Sequence, residues 1–235
     1  MKKLLIVFFL LCNILTSHAA VRQPVTFLQQ DARWGTEPYS ICNDPTQTIA
    51  ASGCGPTSAS MIVNYYIDKT TNPLDMVDLA LKGNHRTLQD GTSWTLFKDV
   101  ADIYGLEYLQ TASAEEAKEW METKEDALII CSMGQGLWTS EGHFVVLWEV
   151  KDKMAYINDP ASTATYRNIN YFSVLSSQCV QYFCYNQNTE KTKLYHAINQ
   201  VFEHNFTRKH FWLSLGFSKI PDKNIWKADN LLVYK

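Results

Sequence analysis

The 235-residue chain has no run of lysine and arginine, no HExxH motif, no internal repeat and no low-complexity tract. Each absence removes a class of function. With 21 Lys and Arg against 24 Asp and Glu, a formal charge of −3 and no basic cluster, phosphate-driven nucleic-acid binding has no footing. Cys179 and Cys184 stand five apart with no matching second pair, so neither a metal site nor any other cofactor is expected. Past the first twenty residues no segment is long and apolar enough to cross a bilayer. What remains is an ordinary globular composition, 46% hydrophobic and 19% charged, with ample material for one sizeable core.

The N-terminus is different. Lys2 and Lys3 precede the apolar run Leu4 to Leu11, and Ser17-His18-Ala19-Ala20 supplies a small-residue cleavage site. This pattern predicts a bacterial-style secretory signal peptide over 1–20 and a secreted or periplasmic protein, with no stable membrane insertion once it is removed. Two further units are expected, a domain over 21–185 and a C-terminal extension over 186–235 packed on it, in a monomer. Cys12 leaves with the signal, and Cys42, Cys54, Cys131, Cys179 and Cys184 remain. In an oxidising compartment an odd number implies one thiol kept apart from bridges. Cys179 and Cys184 are candidates to pair, whereas Cys131, within "ALIICSM", reads as a buried strand residue.

Residues 21–50 look irregular. Helical spacing begins at Pro56 and continues to about Tyr66, with Pro56 suited to a first turn. Further helices are expected over 72–82, over 93–104 with Ser93 as N-cap and Gly105 as stop, and over 113–121, where "SAEE" opens like a capping box. The period then changes. "ALIICSM", "HFVVLWEV" and "MAYIND" are short and rich in β-branched and aromatic residues, which argues for antiparallel strands after helices: an α+β arrangement. A last helix is expected near 190–204, followed by an aromatic stretch with Phe211, Trp212, Phe217 and Trp226.

"AASGCGPTSASM" places Cys54 between two glycines at the head of the first long helix. A helix N-terminus favours the thiolate, the nucleophilic form, and flanking glycines let the backbone turn sharply. By itself the motif also suits a structural cysteine in a tight turn. A nucleophile needs a base and something to orient that base. His18 leaves with the signal, His85 sits in a polar loop, and His196, His204 and His210 lie in the extension. His143 instead opens a strand. "KDK" at 151–153 reads as a hairpin turn, so opposed residue numbers sum to between 302 and 304. His143 then faces a position between Asp159 and Ala161, and opposed Cβ atoms lie roughly 4.5–5.5 Å apart. Asp159 can reach the imidazole and fix its tautomer, although an Asp before Pro160 also suits a plain turn.

Taken together, "QQDARWG", "GCGPTSASMIVNYY", "GTSWTLFKDVADIYGL", "EGHFVVLWEV" and "YINDPAS" resemble papain-fold cysteine peptidases related to the bacteriocin-processing, double-glycine-leader peptidases, and their stand-alone exported relatives in particular. The resemblance runs from about residue 25 to 171. It implies a papain-like α+β fold, with the cysteine heading a central helix, the histidine and aspartate on the sheet, and a glutamine donor near the oxyanion. Cys54, His143 and Asp159 fall on the matching positions, and Gln30 matches the glutamine; Gln47 is the alternative and Gln29, beside Gln30, a third. In the better-known processing peptidases that glutamine lies a few residues before the cysteine, whereas here a loop containing Cys42 intervenes. Those enzymes are also fused to transporters, so their substrate does not carry over to a chain with a signal peptide. The reading is a secreted cysteine hydrolase acting on a peptide or protein substrate through an acyl-thioester. A peptidoglycan or conjugate amidase, or an acyltransferase, would use the same residues, and a non-catalytic binding module would require one of them to be missing.

Overall fold

The computed structural model describes residues 23–89, 91–190 and 195, together with the strands at 218–219, 225–228 and 231–234. The expected signal peptide, almost all of the helix near 190–204, the three histidines of the extension and the aromatic side chains from Phe211 onwards lie outside the described residues. The helices come first: α1 (Ile49–Ser52), α2 (Cys54–Tyr66), α3 (Pro73–Lys82) and α4 (Thr95–Tyr104). Then β1 (Glu107–Thr111), α5 (Ala114–Thr123), β2 (Leu128–Met133), β3 (His143–Lys151) and β4 (Met154–Asn158) follow. The domain continues with α6 (Thr165–Asn168), β5 (Ile169–Tyr171), α7 (Phe172–Gln178) and β6 (Cys179–Asn186). Strands β7 (Ser218–Lys219), β8 (Ile225–Ala228) and β9 (Leu231–Tyr234) form a separate antiparallel sheet.

Local chemistry sets the helix ends. The Asn72 side chain accepts from the Leu74 N–H and the Asp75 carboxylate accepts from the Asn72 N–H, a reciprocal cap with Pro73 in the first turn. Helix α4 stops at Gly105, which takes the left-handed conformation (φ 66°) that glycine adopts without strain. It starts at Thr95 rather than beside Ser93: Trp94 holds the cap position without a side-chain bond, and Ser93 Oγ accepts from the Thr95 N–H at 3.3 Å. At α5 only half of the expected box forms. Ser113 Oγ accepts from the Glu116 N–H, but the Glu116 carboxylate takes the Thr111 hydroxyl instead of the Ser113 N–H.

The main sheet is antiparallel throughout, in the order β1-β6-β2-β3-β4-β5. Strand β2 lies near its centre and every residue of it is buried. Leu128 and Ile130 pack toward the cluster of α2, α3 and α4, while Ile129, Cys131 and Met133 face the cluster containing Ala117 of α5 and Leu175 of α7. Burial on both faces explains an unbroken apolar run where a half-exposed strand would alternate. Helix α2 is enclosed by α3, α4 and the sheet, and its Met61, Ile62 and Val63 have no exposed surface. Each such side chain contributes roughly 1.5–3 kcal/mol relative to exposure.

Strand β6 includes both Cys179 and Cys184. Five steps along an extended strand separate their Cα atoms by about 16 Å, far beyond the ~7 Å limit for a disulfide. The expected pairing is therefore geometrically excluded, and both thiols are free, as are Cys42, Cys54 and Cys131. The β3–β4 hairpin turns through Asp152 and Lys153, both with positive φ, a two-residue turn rather than three. Opposed numbers sum to 305 beside the turn and, beyond an irregularity between Leu147 and Glu149, to 304. Continued past Asn158, this register sets Asp159 opposite Val145, diagonal to His143 and on the same face of the sheet.

Candidate active site

Gly53 precedes α2 with φ −88° and ψ 13°, a conformation open to any residue, so the glycines flanking Cys54 answer to space rather than to a sharp turn. A Cβ on Gly53 would lie 2.5 Å from the Ile49 carbonyl oxygen, and one on Gly55 would lie 2.5 Å from Thr92 Oγ1 and 2.6 Å from its Cβ. Thr92 cannot readily yield, since its hydroxyl pairs with the buried Tyr39 hydroxyl at 2.8 Å. Gly55→Ala is expected to cost about 1–3 kcal/mol, the range for overpacking a tight site. A fall in Tm measured by circular dichroism checks it, and an unchanged Tm would contradict this packing.

His143 opens β3 where the 134–142 loop meets the sheet, directly after Gly142. Ser58, one turn along α2 from Cys54, donates its hydroxyl to the Phe144 carbonyl at 3.3 Å and so ties the nucleophile's helix to the strand beginning at His143. The imidazole Nε2 pairs with Asp159 Oδ1 at 2.8 Å, and the Cys54 thiol adjoins the ring. Burial opposes the imidazolium, but hydrogen bonds with Asp159 and Cys54 outweigh it and push the ring up to about 9. Cys54 and His143 line one cavity of about 410 Å³ together with Gln29, Ser52, Gln89 and Glu141.

Asp159 has no exposed side-chain surface. Burial alone would raise its pKa, yet the His143 bond, the Arg167 bond and the Ala161 N–H together hold the carboxyl below its usual range. Oδ1 accepts from the Ala161 N–H at 2.8 Å as well as facing His143, Oδ2 accepts from Arg167 Nε at 2.5 Å, and the Asp159 N–H donates to Asn168 Oδ1. Asp159 is thus far more than a turn residue before Pro160. No sequence motif marks Arg167.

The three glutamines are placed differently. Gln30 is exposed, donates its amide to the Ala161 carbonyl at 3.1 Å and does not line the cavity. Gln47 donates to the Leu88 carbonyl and is not in the cavity wall either. Gln29 is buried and does line it. Its backbone N–H donates to the Pro160 carbonyl at 2.8 Å and its side-chain amide to the Ala50 carbonyl at 2.7 Å, which stretches it between the residue after Asp159 and helix α1. The cause is a tight turn. Asp31, Trp34 and Gly35 donate to the Leu28 and Asp31 carbonyls, so the chain reverses just past Gln29 and turns Gln30 to solvent.

The remaining candidates sit elsewhere. His85 is buried rather than in a solvated loop: Nδ1 meets the Thr95 hydroxyl at 2.8 Å and Nε2 lies 3.0 Å from Asp99, away from the cavity. Burial pushes the Cys131 thiol well above its usual range and that of Cys184 up to about 12, the mark of packing thiols. Arg86, also buried, donates to the Tyr39, Thr87 and Gly91 carbonyls and braces the loop whose Gln89 walls the cavity. Among the described residues no three His, Cys, Asp or Glu side chains converge in a way that could hold a metal ion.

The profile of the Peptidase C39 family matches residues 44–183, a span that contains Cys54, His143 and Asp159. A comparison with curated proteins gave no match. Among solved structures, the chain is similar to a double glycine motif protease from an AMS/PCAT transporter in complex with the leader peptide (TM-score 0.44, 22% identity, 69% of this chain and 89% of that one). It is also similar to a putative C39-like peptidase from Bacillus anthracis (TM-score 0.45, 13% identity, 71% and 99% covered). A third is the peptidase domain of Streptococcus ComA, a bi-functional ABC transporter involved in a quorum-sensing pathway (TM-score 0.41, 14% identity, 57% and 91% covered). With the family profile spanning more than half of the sequence over a helix-and-antiparallel-sheet architecture, the chain belongs to the Peptidase C39 family and is a cysteine peptidase-like hydrolase of papain-like fold.

Proposed function

We propose that this protein is an exported peptidase that cleaves amide bonds with Cys54 as nucleophile, His143 as general acid and base, and Asp159 as the group that orients His143. The observation that carries the reading is the convergence of the three: His143 bonds Asp159 through Nε2 and shares a cavity with Cys54. The Cys54 thiolate attacks the scissile carbonyl carbon, and the carbonyl π pair moves to oxygen. As the tetrahedral intermediate collapses, the C–N bond breaks and the imidazolium gives its proton to the departing amine. The imidazole then takes a proton from water, whose oxygen attacks the acyl-thioester and releases the carboxylic acid and the thiolate. Export is supported by the charged, apolar and small-residue order of residues 1–20.

The oxyanion needs donors fixed before the charge develops. The first N–H groups of a helix have no partner within it, which offers the Cys54 N–H for this role. Gln29 supplies the second donor. Its amide nitrogen has two N–H groups and the Ala50 carbonyl takes one. Gln29→Ala is expected to lower kcat about 10²–10³-fold, as removal of such a donor does elsewhere. Gln30→Ala should leave kcat near wild type, and the reverse ranking of the two variants would reassign the donor.

The reading is tested by the rate of Cys54 alkylation with iodoacetamide near pH 6. The wild type should react faster than a free thiol, and His143→Ala should remove the advantage. A wild-type rate no better than that of a free thiol would falsify the activated nucleophile. Turnover adds a second readout: acylation requires the imidazolium, so kcat/KM should fall as pH rises through about 9, where His143 loses its proton. Casein, muropeptides and amine acceptors assayed side by side identify the acyl donor and acceptor.

A further inference from the structure

One charged side chain at the site has no part in the chemistry above. Arg167 is the sole Asp, Glu, Lys or Arg between Asp159 and Glu190, and its side chain is only 16% exposed. Its guanidinium is spent entirely inward. Nε donates to Asp159 Oδ2 at 2.5 Å, one terminal nitrogen to the Leu137 carbonyl at 3.2 Å, and the other to the Trp138 carbonyl at 2.9 Å. The Trp138 indole N–H returns a bond to the Arg167 carbonyl at 2.9 Å. Leu137 and Trp138 belong to the 134–142 loop, which leads straight into His143.

We propose that Arg167 is the positioning residue of this site: it fixes the plane of the Asp159 carboxylate and locks the loop before His143 onto that same carboxylate. The inference rests on the reading of Cys54, His143 and Asp159 as a catalytic unit. A carboxylate has a broad, two-fold terminal torsion, so a single N–H from Ala161 on Oδ1 leaves it free to swing. A planar guanidinium that donates Nε to Oδ2 while its two terminal nitrogens hold the Leu137 and Trp138 carbonyls removes that freedom and aims Oδ1 at the imidazole. Burial would raise the Asp159 carboxyl, and the His143 and Arg167 bonds together hold it below its usual range. The titratable and charged groups facing Asp159 are His143 from β3 and Arg167 from α6. Cys54 of α2 lies beyond the imidazole, and Glu141 lines the cavity beside His143.

The experiment compares wild type, Arg167→Gln and Arg167→Lys in kcat and KM across pH, with Cys54 alkylation by iodoacetamide followed in parallel and Tm recorded for each. In Arg167→Gln, kcat should fall on the order of 10²-fold with little change in KM, the size of effect that a displaced catalytic group produces. The acid limbs of kcat/KM and of alkylation should move to higher pH as Asp159 loses its cation. Arg167→Lys keeps the charge without the planar guanidinium, so it should retain the acid limb and lose kcat. A folded Arg167→Gln whose pH profiles superimpose on wild type overturns the proposal. Should that variant not fold, a Lys variant with wild-type kcat overturns it equally, and one with lowered kcat supports it. Failure of the underlying reading looks different, because wild-type Cys54 itself would then alkylate no faster than a free thiol.

Discussion

Replacing Cys54 with alanine is expected to abolish peptide hydrolysis while the protein stays folded. Alanine removes the atom that forms the acyl bond. The remaining donors and cavity can still bind substrate, but without a nucleophile the loss in kcat is about 10⁶-fold, as when a nucleophile is removed from an acyl-transfer triad. Stability should change little, because alanine suits a helix start and Cys54 is only partly buried. The variant has a second, independent signature. The sulfur is one of the two partners that raise His143, so its removal should lower the imidazole's titration from about 9, readable by NMR. Wild-type hydrolysis by Cys54→Ala would place the chemistry elsewhere.

Asp159→Asn should strike both activity and stability. The substitution keeps shape and removes charge, leaving the guanidinium of Arg167 with no counter-charge in a site where Asp159 has no exposed surface. Breaking a buried pair from one side costs about 3–5 kcal/mol. Loss of the carboxylate also frees the imidazole to take the wrong tautomer, which in a serine triad lowers kcat about 10⁴-fold. The pH dependence of stability follows from the two shifts. Asp159 titrates below its usual range when folded, so its contribution is present above the unfolded carboxyl pKa and is lost as pH falls through the folded one. His143 is raised, so its contribution is complete below the unfolded value of 6.5 and disappears as pH rises through about 9. The Asn variant should lose the acid-side dependence that Asp159 supplies, and its alkaline limb of kcat/KM should move below pH 9. Denaturant melts across pH measure the first and pH–rate profiles the second. A variant as stable and as active as wild type would show that the Arg167–Asp159–His143 chain does not act as a unit.

The legible parts of this protein were the local ones. Helices with chemical punctuation, such as α3 with Asn72 and Asp75 or α4 with Gly105, could be placed from a few adjacent residues. Strands β2, β3 and β4 declared themselves through β-branched runs. Strands β1 and β6 did not. "EYLQT" and "CVQYFCYN" mix polar with apolar residues, and pairing with each other and with β2 is what makes them strands. The hairpin count came within a register step because both strands flank one short turn. It missed the shift near Trp148, since a bulge leaves no composition signal of its own.

By itself the sequence determined the cysteine at the helix head and the histidine and aspartate of one hairpin, because each feature is written in a contiguous segment with its own periodicity. The tertiary structure alone decided three other matters. Gln29 rather than Gln30 faces the cavity because the turn after it, Ala50 and Pro160 hold it there. Gly55 is required because Thr92, nearly forty residues on, occupies the space of a side chain. Arg167 reaches Asp159 because α6 folds back over the end of β4. Adjacent residues of an irregular loop carry no signal of which way they point, and long-range contacts supply it.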